Sequence, residues 1–424
     1  MSKGINKNSV PNLRFPEFKK DCDWKEVIMR DVFSIFQGFA FSSSDARPEG
    51  CRWLKITDVG IQKMNHETQS YLPINFKQKY EKFIVREGDF VMALTRPILG
   101  DELKIAKVDA VYDQALLNQR VGKLVTNNIY SFVFYLLQRK DIIKQIGKNI
   151  AGREPPNLSS KHIDDIKILV PKLDEQQKIA DCLSSLDDLI AAQNIKVENL
   201  KNYKRGLLQQ LFPIDGEAVP RLRFPEFKKD GDWKVKKLGE FCNVLMCKRI
   251  FAEQTNPSTG VPFYKIGTLG GKPDAYISKE LFNEYKSKYN YPRIGEVLIT
   301  CSGTVGKCLP FDGEDSYYQD SNIVWIDNPT TELSNDFLHI LIQNIDWSHL
   351  SSTTITRIYG PDLKNLSLTF PDSAEEQDKI AKCIVSIDEL ILSESNKTVQ
   401  LEEHKKGLLQ QLFPSINTES KGES

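Results

Sequence analysis

A repeat constrains the fold of this 424-residue chain more than any other feature of its sequence. The eight letters GLLQQLFP occur at 206–213 and again at 407–414. When the chain is aligned with itself at that spacing, segments 171–213 and 372–414 match at 21 of 43 positions without a gap. Similarity of this length indicates a duplicated structural unit rather than coincidence.

A second repeated word lies near the start of each half. VPNLRFPEFKKDCDWK at 10–25 and VPRLRFPEFKKDGDWK at 219–234 match at 14 of 16 positions. Elsewhere only short echoes remain: WLKITDVG (53–60) with FYKIGTLG (263–270), and REGDFVMALTRPILG (86–100) with RIGEVLITCSGTVG (293–306). The chain is therefore predicted to alternate two divergent globular segments with two similar connectors.

Both connectors carry a heptad pattern. Apolar residues spaced alternately by four and three predict a helical seam that a partner helix must cover. The seam residues are Ile179, Leu183, Leu186, Ile190, Val197, Leu200, Leu207 and Leu211 in the first connector, and Ile380, Ile384, Ile387, Ile391, Thr398, Leu401, Leu408 and Leu412 in the second. Two polar places interrupt each seam, Gln193 and Lys204 in one and Glu394 and Lys405 in the other. They either fix the register or meet a partner.

These patterns predict an α+β protein with an internal pseudo-twofold repeat, too long for one hydrophobic core. We expect globular domains at 1–170 and 214–371, spacer helices at 171–213 and 372–414, and a disordered tail at 415–424. Because each globular domain starts where one helix ends and finishes where the next begins, the helices should pair antiparallel as a coiled coil. Such an arrangement suits a ligand with two equivalent parts, such as duplex DNA, whose grooves recur about every 34 Å.

Composition narrows the class of protein. Formal net charge is zero, yet residues 1–170 hold 27 Lys and Arg against 20 Asp and Glu, so one domain is mildly basic. No apolar run reaches membrane-spanning length, and the first residues lack the apolar core of a signal peptide, so we expect a cytoplasmic protein. The eight cysteines are scattered without metal-site spacing and are expected to be reduced; no metal site is expected.

With these features the chain resembles the specificity subunit of type I restriction-modification systems. The resemblance lies in LDEQQKIA and GLLQQLFP of the connectors, LRFPEFKKDGDWK at the start of a half, and the segments GDFVMALTR and GEVLITCSGTVGK. It implies that each globular domain is a target-recognition domain for one half of a split DNA site. It also implies that the helices set the gap and bind two modification subunits, which methylate adenine. S-adenosylmethionine, ATP and Mg²⁺ would belong to these and to the restriction subunits, and no cofactor to this chain.

Base reading requires Arg, Lys, Asn, Gln, Ser and Thr side chains on loops or strand ends, beside phosphate contacts. The candidates in the first domain are Arg47, Arg52, Lys55, Thr57, Arg96, Arg120 and Arg153. Those in the second are Lys248, Arg249, Lys265, Thr268, Ser302, Thr304, Lys307, Asn322 and Arg357. The echo positions favour Lys55 with Lys265, and the Thr95–Arg96 pair with 302–304. A solvated surface group or a local salt bridge remains the alternative for each of them.

Catalytic alternatives have weaker support. GTVGKC at 303–308 lacks the spacing and the Ser or Thr of a phosphate-binding loop, and REPPN at 153–157 lacks the aromatic residue of an amino-methylation motif. Asp89, Glu102 and Lys104 could form a Mg²⁺-dependent nuclease site, although the second half has no such E-x-K pattern. The five isolated histidines suit structural or surface roles. We therefore predict a non-catalytic subunit, with a stand-alone DNA-binding or scaffolding protein, and a nuclease, as alternatives.

Overall fold

The computed structural model describes residues 10–152, 155–214, 216–330, 332–347 and 357–414. Arg153 and the tail 415–424 lie outside these ranges. The chain divides into two compact units: unit 1 contains 1–194 and 396–424, and unit 2 contains 195–395. The helices are α1 Phe76–Lys79, α2 Tyr130–Leu136, α3 Lys140–Ile150, α4 Leu173–Leu211, α5 Lys279–Lys288, α6 Asn335–Gln343, α7 Gly360–Lys364 and α8 Ala374–Gln411.

Helices α4 and α8 correspond to the two repeated connectors. Each begins with acidic residues, which favour a helix N-terminus, and each is followed closely by a proline, Pro213 or Pro414. Helix α4 contains 39 residues and α8 contains 38, so each is roughly 58 Å long at about 1.5 Å per residue. The first part of α4 and the last part of α8 belong to unit 1, and the remaining parts belong to unit 2.

The two helices run antiparallel, as ion pairs within unit 2 show. Lys196 pairs with Glu394 at 3.0 Å and Lys204 pairs with Asp388 at 2.7 Å, so numbers rise on α4 as they fall on α8. In unit 1 the corresponding cross-helix pair is Lys405 with Asp187. The predicted seam residues are all buried or half-buried. Together the long helices and the mixed sheets make an α+β fold with an antiparallel coiled coil.

Unit 1 builds its globular domain from short strands. They are β1 Lys25–Ile28, β2 Ser34–Gln37, β3 Cys51–Leu54, β4 Tyr71–Leu72, β5 Phe90–Ala93, β6 Ile98–Leu99, β7 Glu102–Leu103, β8 Ile105–Lys107, β9 Leu116–Leu117, β10 Val121–Val125 and β11 Lys167–Val170. An antiparallel sheet has the order β2-β10-β5-β8, and a three-stranded sheet has the order β4-β3-β9, in which β3 and β9 are parallel. Strand β5 is buried along its whole length and lies near the centre of the domain.

Unit 2 repeats this plan with different residues. Its strands are β12 Lys234–Lys237, β13 Asn243–Leu245, β14 Thr255–Asn256, β15 Val261–Tyr264, β16 Tyr276–Ile277, β17 Val297–Thr300, β18 Cys308–Pro310, β19 Tyr317–Tyr318, β20 Ile323–Asp327 and β21 Ser367–Phe370. The order β13-β20-β17-β18 matches the four-stranded sheet of unit 1, and β15 pairs parallel with β19 as β3 does with β9. The two units therefore share the order of one four-stranded sheet and one parallel strand pair, while unit 1 adds the β6-β7 pair and unit 2 adds β14 to its second sheet.

Candidate nucleic-acid interface

A buried ion pair ties each recognition domain to a long helix. Arg14 donates from Nε and Nη2 to the two carboxylate oxygens of Glu175, at 2.8 and 2.7 Å, and Trp24 Nε1 donates to the same carboxylate at 3.2 Å. In unit 2, Arg223 donates to both oxygens of Glu376 at 2.7 and 2.8 Å. The hydrogen bond to Glu175 raises the pKa of Arg14. Arg14 and Arg223 belong to the repeated word near the start of each half, and the glutamates belong to the repeated connectors. The ion pair therefore joins two repeated segments of the sequence.

The next residue of each long helix holds the recognition domain at another point. Gln176 Oε1 accepts from the main-chain N–H of Ile129, just before α2, at 3.2 Å. Gln377 Oε1 accepts from the N–H of Ser334, just before α6, at 2.9 Å. The E-Q pair of the repeat therefore fixes the start of an equivalent helix in each unit, so the two globular domains are attached to the long helices in the same way.

Three chain segments meet at the end of the central strand of unit 1. Beyond β5, Leu94 N–H donates to the carbonyl of Arg120 at 2.8 Å, and Thr95 Oγ1 donates to Asn157 Oδ1 at 2.7 Å. Arg96 N–H donates to the carbonyl of Pro156 at 2.8 Å, and Arg96 has φ = 47°, a conformation that costs energy for a residue other than glycine. Such strain is typical of functional turns.

The equivalent segments meet beyond β17 in unit 2 with different side chains. Cys301 N–H donates to the carbonyl of Asn322 at 2.8 Å, and Ser302 Oγ donates to Asn322 Oδ1 at 2.7 Å. Arg357 Nη2 donates to Ser321 Oγ at 3.3 Å, and Ser321 has φ = 53°. These strand-end turns present hydroxyl, amide and guanidinium groups, which are the groups that contact base edges.

The turn that contains Lys55 in unit 1, and the turn that contains Lys265 in unit 2, lie beside these strand-end turns. Lys55 follows Leu54, whose carbonyl accepts from the N–H of Asn118, and its Nζ lies 3.9 Å from the centre of the Trp53 ring. Lys265 follows Tyr264, whose carbonyl accepts from the N–H of Gln319 at 2.9 Å. Lys265 also pairs with Asp274 at 3.1 Å. The structure thus groups Lys55, Arg96 and Arg120 in one unit and Lys265, Ser302, Asn322 and Arg357 in the other.

Other candidates of the first domain are held by the fold. The Arg52 guanidinium lies 4.7 Å from the centre of the Tyr112 ring and donates to the Thr68 carbonyl at 3.1 Å. Thr57 lies within hydrogen-bond distance of Asp58, and Arg47 donates to two nearby carbonyl groups. These side chains serve local structure, so their part in DNA reading remains a prediction.

Several candidates of the second domain are engaged in the same way. Lys307 donates to the carbonyl of Leu269, Thr268 shapes the Lys265 turn, and the carbonyl of Thr304 accepts from Thr300. Arg249 pairs with Asp320 at 2.8 Å but stays 61% exposed, and Lys248 lies over the Tyr289 ring. Of this group Arg249 is therefore the side chain best placed to change partners.

The structure also shows functional candidates that sequence reasoning missed. Asn157 bonds Thr95, and Ser321 contacts Arg357, yet neither belongs to an echo between the halves. Pro155 and Pro156 precede Asn157, and the residue before a proline favours extended backbone. That signal could have marked the segment as an extended strand partner. The unusual backbone of Ser321 left no signal in the sequence.

Two of the three residues of the nuclease hypothesis, Asp89 and Lys104, have other partners. Asp89 Oδ2 bonds Lys123 Nζ at 3.1 Å, while Lys104 Nζ donates to the carbonyl of Ile56 at 3.0 Å. Burial lowers the pKa of Lys104. Lys307 makes the equivalent bond to Leu269 in unit 2, so this lysine has a shared structural role. Within the described ranges, no group of three or more His, Cys, Asp or Glu residues could hold a metal ion.

The histidines also have local surroundings. His66 Nε2 lies 2.7 Å from Asp109 Oδ2, and His162 Nδ1 accepts from the N–H of Ser159 at 3.1 Å. His339 is half-buried on α6, and the loss of hydration lowers its pKa. A search of the described helices for a segment long and apolar enough to cross a membrane finds none.

Comparison with known proteins first defines the class. The sequence profile of the type I restriction modification DNA specificity domain matches residues 22–201 and 230–403, one copy in each half of the chain. A Haemophilus influenzae protein named as a type I restriction enzyme specificity subunit is 35% identical over 324 residues, covering 76% of this chain and 80% of that one. A specificity subunit of Methanocaldococcus jannaschii is 33% identical over 192 residues, covering 45% of each chain.

The fold agrees with these matches. The crystal structure of the type I restriction-modification S subunit from M. genitalium superposes with a TM-score of 0.60 at 14% identity, covering 96% of this chain and 100% of that one. The chain belongs to the family of type I restriction-modification specificity subunits. It is a non-catalytic DNA-recognition subunit, and its two specificity domains fit recognition of a bipartite site. Specificity subunits of this kind bind DNA and work in complexes.

Proposed function

We propose that the strand-end turns of each unit read one half-site, and that α4 and α8 dock two modification subunits that methylate adenine. In unit 1 the reading residues are Lys55, Arg96 and Arg120, with Thr95 and Asn157 as their neighbours. In unit 2 they are Lys265, Ser302, Asn322 and Arg357. Restriction subunits join the same cytoplasmic complex, in which S-adenosylmethionine, ATP and Mg²⁺ belong to the partners.

One observation carries this proposal: the two units share their frame and differ at the strand-end turns. The buried Arg–Glu pair has the same donor and acceptor atoms in both units, within 0.1 Å. Beyond the central strands, however, Thr95 bonds Asn157 in unit 1 while Ser302 bonds Asn322 in unit 2. A common frame with different hydrogen-bonding groups is what two unlike half-sites would require, because base edges are told apart by donor and acceptor patterns.

The decisive experiment maps methylated adenines. The chain is expressed with its modification subunit in a host that lacks other adenine methylation, and the host DNA is read by single-molecule sequencing. We expect a split motif that disappears when this chain is omitted. A stable complex without any motif would instead favour the stand-alone scaffolding alternative.

Substitutions then assign the half-sites. Arg96→Ala in unit 1 and Asn322→Ala in unit 2 should each relax the motif in one half only, because a lost base contact costs about 1–3 kcal/mol at its own position. Exchange of residues 30–170 for another recognition domain should replace one half-site and retain the other. Val125→Ala, at an exposed position on β10, is the matched control and should leave the motif intact. A change in both halves from either single substitution would contradict modular reading.

A further inference from the structure

Lys405 lies at the centre of a polar network in unit 1. This lysine of α8 is 9% exposed, and its Nζ donates to Asp187 Oδ1 of α4 at 2.5 Å and to Gln62 Oε1 at 2.7 Å. Tyr135 of α2 donates its hydroxyl to Asp187 Oδ2 at 2.6 Å. Burial raises the pKa of Tyr135, so the hydroxyl keeps its proton and acts as the donor. Two points of the recognition domain are thereby hydrogen-bonded to both long helices.

Gln62 connects this network to the lysine turn. The loop after Lys55 is tightly folded, since Asn65 N–H donates to the carbonyl of Asp58 at 2.8 Å and Gly60 N–H donates to the carbonyl of Lys63 at 3.0 Å. Gln62 has φ = 60°, which is uncommon for glutamine. A displacement of Gln62 would therefore move Lys55 as well, because the loop between them is short and closed by hydrogen bonds.

The loop around Gln62 is anchored on its inner side: Val59 and Met64 are buried in a hydrophobic cluster, and Gln62 N–H donates to the carbonyl of Ile105 at 2.8 Å. A cavity of about 770 Å³ lies beside the network, and Gln62, Asp187 and Lys405 are among the residues that line it. Gln138 also lines the cavity, and its buried amide atoms have no hydrogen-bond partner. This cavity is open to solvent, so the contact between Gln62 and Lys405 on this side of the loop rests on their hydrogen bond.

Unit 2 is built differently at the same place. Lys204 directs its Nζ to both carboxylate oxygens of Asp388, each at 2.7 Å. Phe132 and Phe337 occupy equivalent places on α2 and α6, so the residue equivalent to Tyr135 is Ile340, whose side chain cannot donate a hydrogen bond. Both units have the cross-helix ion pair. In unit 1 the pair is also hydrogen-bonded to Gln62 and Tyr135 of the recognition domain.

We propose that Gln62 and Lys405 are positioning residues that hold the Lys55 turn at a fixed place on the helix pair. This inference rests on the proposed function, because a fixed Lys55 turn makes the first half-site readable at one gap length only. A loosened turn would let the complex accept sites whose two halves are closer or further apart. Neither residue has to touch DNA for this effect.

The test uses the complex with the modification subunit and duplexes that carry the mapped site with its natural gap, or a gap one base pair longer or shorter. Gln62→Asn keeps a residue that tolerates positive φ but shortens the side chain so that it cannot reach Lys405. We expect its preference for the natural gap to fall about tenfold, the value of one charge-assisted hydrogen bond. Gln62→Glu, which can still accept from Lys405, should retain the preference. Equal preference in all three proteins would overturn the positioning role.

A second readout does not depend on the target site. In the same complexes without DNA, amide hydrogen exchange of residues 56–66 should be faster in Gln62→Asn than in the unsubstituted protein, with residues 266–275 of unit 2 unchanged. Unchanged exchange at 56–66 would also overturn the proposal. If no split motif is found, the proposed function fails, and the exchange measurement still decides whether the Gln62–Lys405 contact restrains the turn.

Discussion

Units 1 and 2 resemble each other most where they meet the long helices. Phe132 of α2 lies 5.3 Å from Phe413, and Phe337 of α6 lies 5.4 Å from Phe212, measured between ring centres. Trp24 and Trp233 complete these two aromatic clusters, each with ring centres 6.0 Å from both phenylalanines of its own cluster. One tryptophan and one phenylalanine of each cluster come from the repeated words, which accounts for the identical LFP and DWK letters.

The units diverge within one helical turn of these clusters. Two residues beyond Phe132 comes Phe134, whereas the equivalent place beyond Phe337 holds His339. The next residue is Tyr135 in unit 1 and Ile340 in unit 2. The two units are therefore alike only in the residues that contact the long helices directly. Beyond these residues each recognition domain has been free to change, and four predictions test this boundary.

The largest expected effect concerns the shared ion pair. Arg14→Met leaves the buried carboxylate of Glu175 without its partner, and Arg223→Met does the same to Glu376. Removal of one partner from a buried pair costs about 3–5 kcal/mol, so each substitution should lower the free energy of opening of its own unit by that amount. Hydrogen exchange at increasing denaturant concentration, resolved by peptide, measures both units in one sample.

The exposed pair of Arg30 with Asp165 supplies the control. Its side chains are 55% and 81% exposed, so Arg30→Met should cost less than about 1 kcal/mol. Similar costs for Arg14→Met and Arg223→Met would support an equivalent frame. If Arg14→Met were as mild as Arg30→Met, the frame would not depend on this contact.

The second prediction concerns alkaline pH and four of the five thiols of unit 2. Burial raises the pKa of Cys242, Cys247 and Cys308 to about 12 and that of Cys301 to about 11, from 9.0. Below pH 9 these thiols are protonated in both states and their contribution to stability is complete. As the pH rises, the unfolded chain ionises first, so this contribution is lost progressively up to the folded-state pKa values.

Urea denaturation at pH 8 and pH 10 tests this difference between the units. We expect each of these four thiols to remove about 1.4 kcal/mol from the stability of unit 2 over this interval, and unit 1, where burial raises the pKa of Cys51, to lose less in total. Cys301→Ala should flatten the pH dependence of the unfolding free energy more than Cys22→Ala, since Cys22 is exposed. An identical pH dependence in the two variants would contradict the assignment.

The long helices could be predicted from the sequence better than the contacts that the globular domains make with them. Heptad spacing and the absence of internal proline are local signals, and they predicted helices close to α4 and α8. The antiparallel pairing followed from chain order. The Arg14–Glu175 pair, however, joins residues 161 positions apart, and no local pattern reports such a contact. The repeated words showed that both residues mattered, but not that they touch.

The candidate site was predicted only where the halves echo each other. Lys55 with Lys265, and the Thr95 turn with the Ser302 turn, occupy equivalent places in the two units because the echoed words preserve the strands before them. Arg52 was chosen for its residue type, yet its guanidinium is enclosed by tyrosine rings. Contacts made by Asn157 and Gln62 come from loops without an echo, so residue type and position gave no reason to select them.

The third prediction separates the cross-helix lysine–aspartate pair, which both units have, from the additional bond between Lys405 and Gln62 in unit 1. Lys204→Met removes the pair with Asp388, and Lys405→Met removes the pair with Asp187 together with the bond to Gln62. Methionine keeps most of the side-chain length. We expect Lys405→Met to cost about 1 kcal/mol more than Lys204→Met in the same exchange measurement, the value of one further hydrogen bond. Equal costs would mean that the Gln62 contact adds nothing to stability.

The smallest expected effect tests the first divergent position. His339 is half-buried on α6, and partial burial lowers its pKa, with the charge of Lys204 acting in the same direction. Above pH 6.5 the imidazole is neutral in both states, so its contribution to stability is complete. As the pH falls below 6.5, the unfolded chain binds a proton more readily than the folded one, and stability is lost down to the folded-state pKa.

His339→Phe places in unit 2 the residue that unit 1 has at the equivalent position, Phe134. The substitution should reduce the stability that unit 2 loses between pH 7.5 and pH 5.5, because phenylalanine binds no proton in either state. Denaturation at pH 8 measures the part of the substitution's effect on the unfolding free energy that does not depend on pH. The further change in that effect at acid pH is then due to the histidine. If the acid sensitivity of unit 2 were unchanged, its origin would lie in carboxylates of the frame, which unit 1 shares, and the two units should then lose stability in parallel.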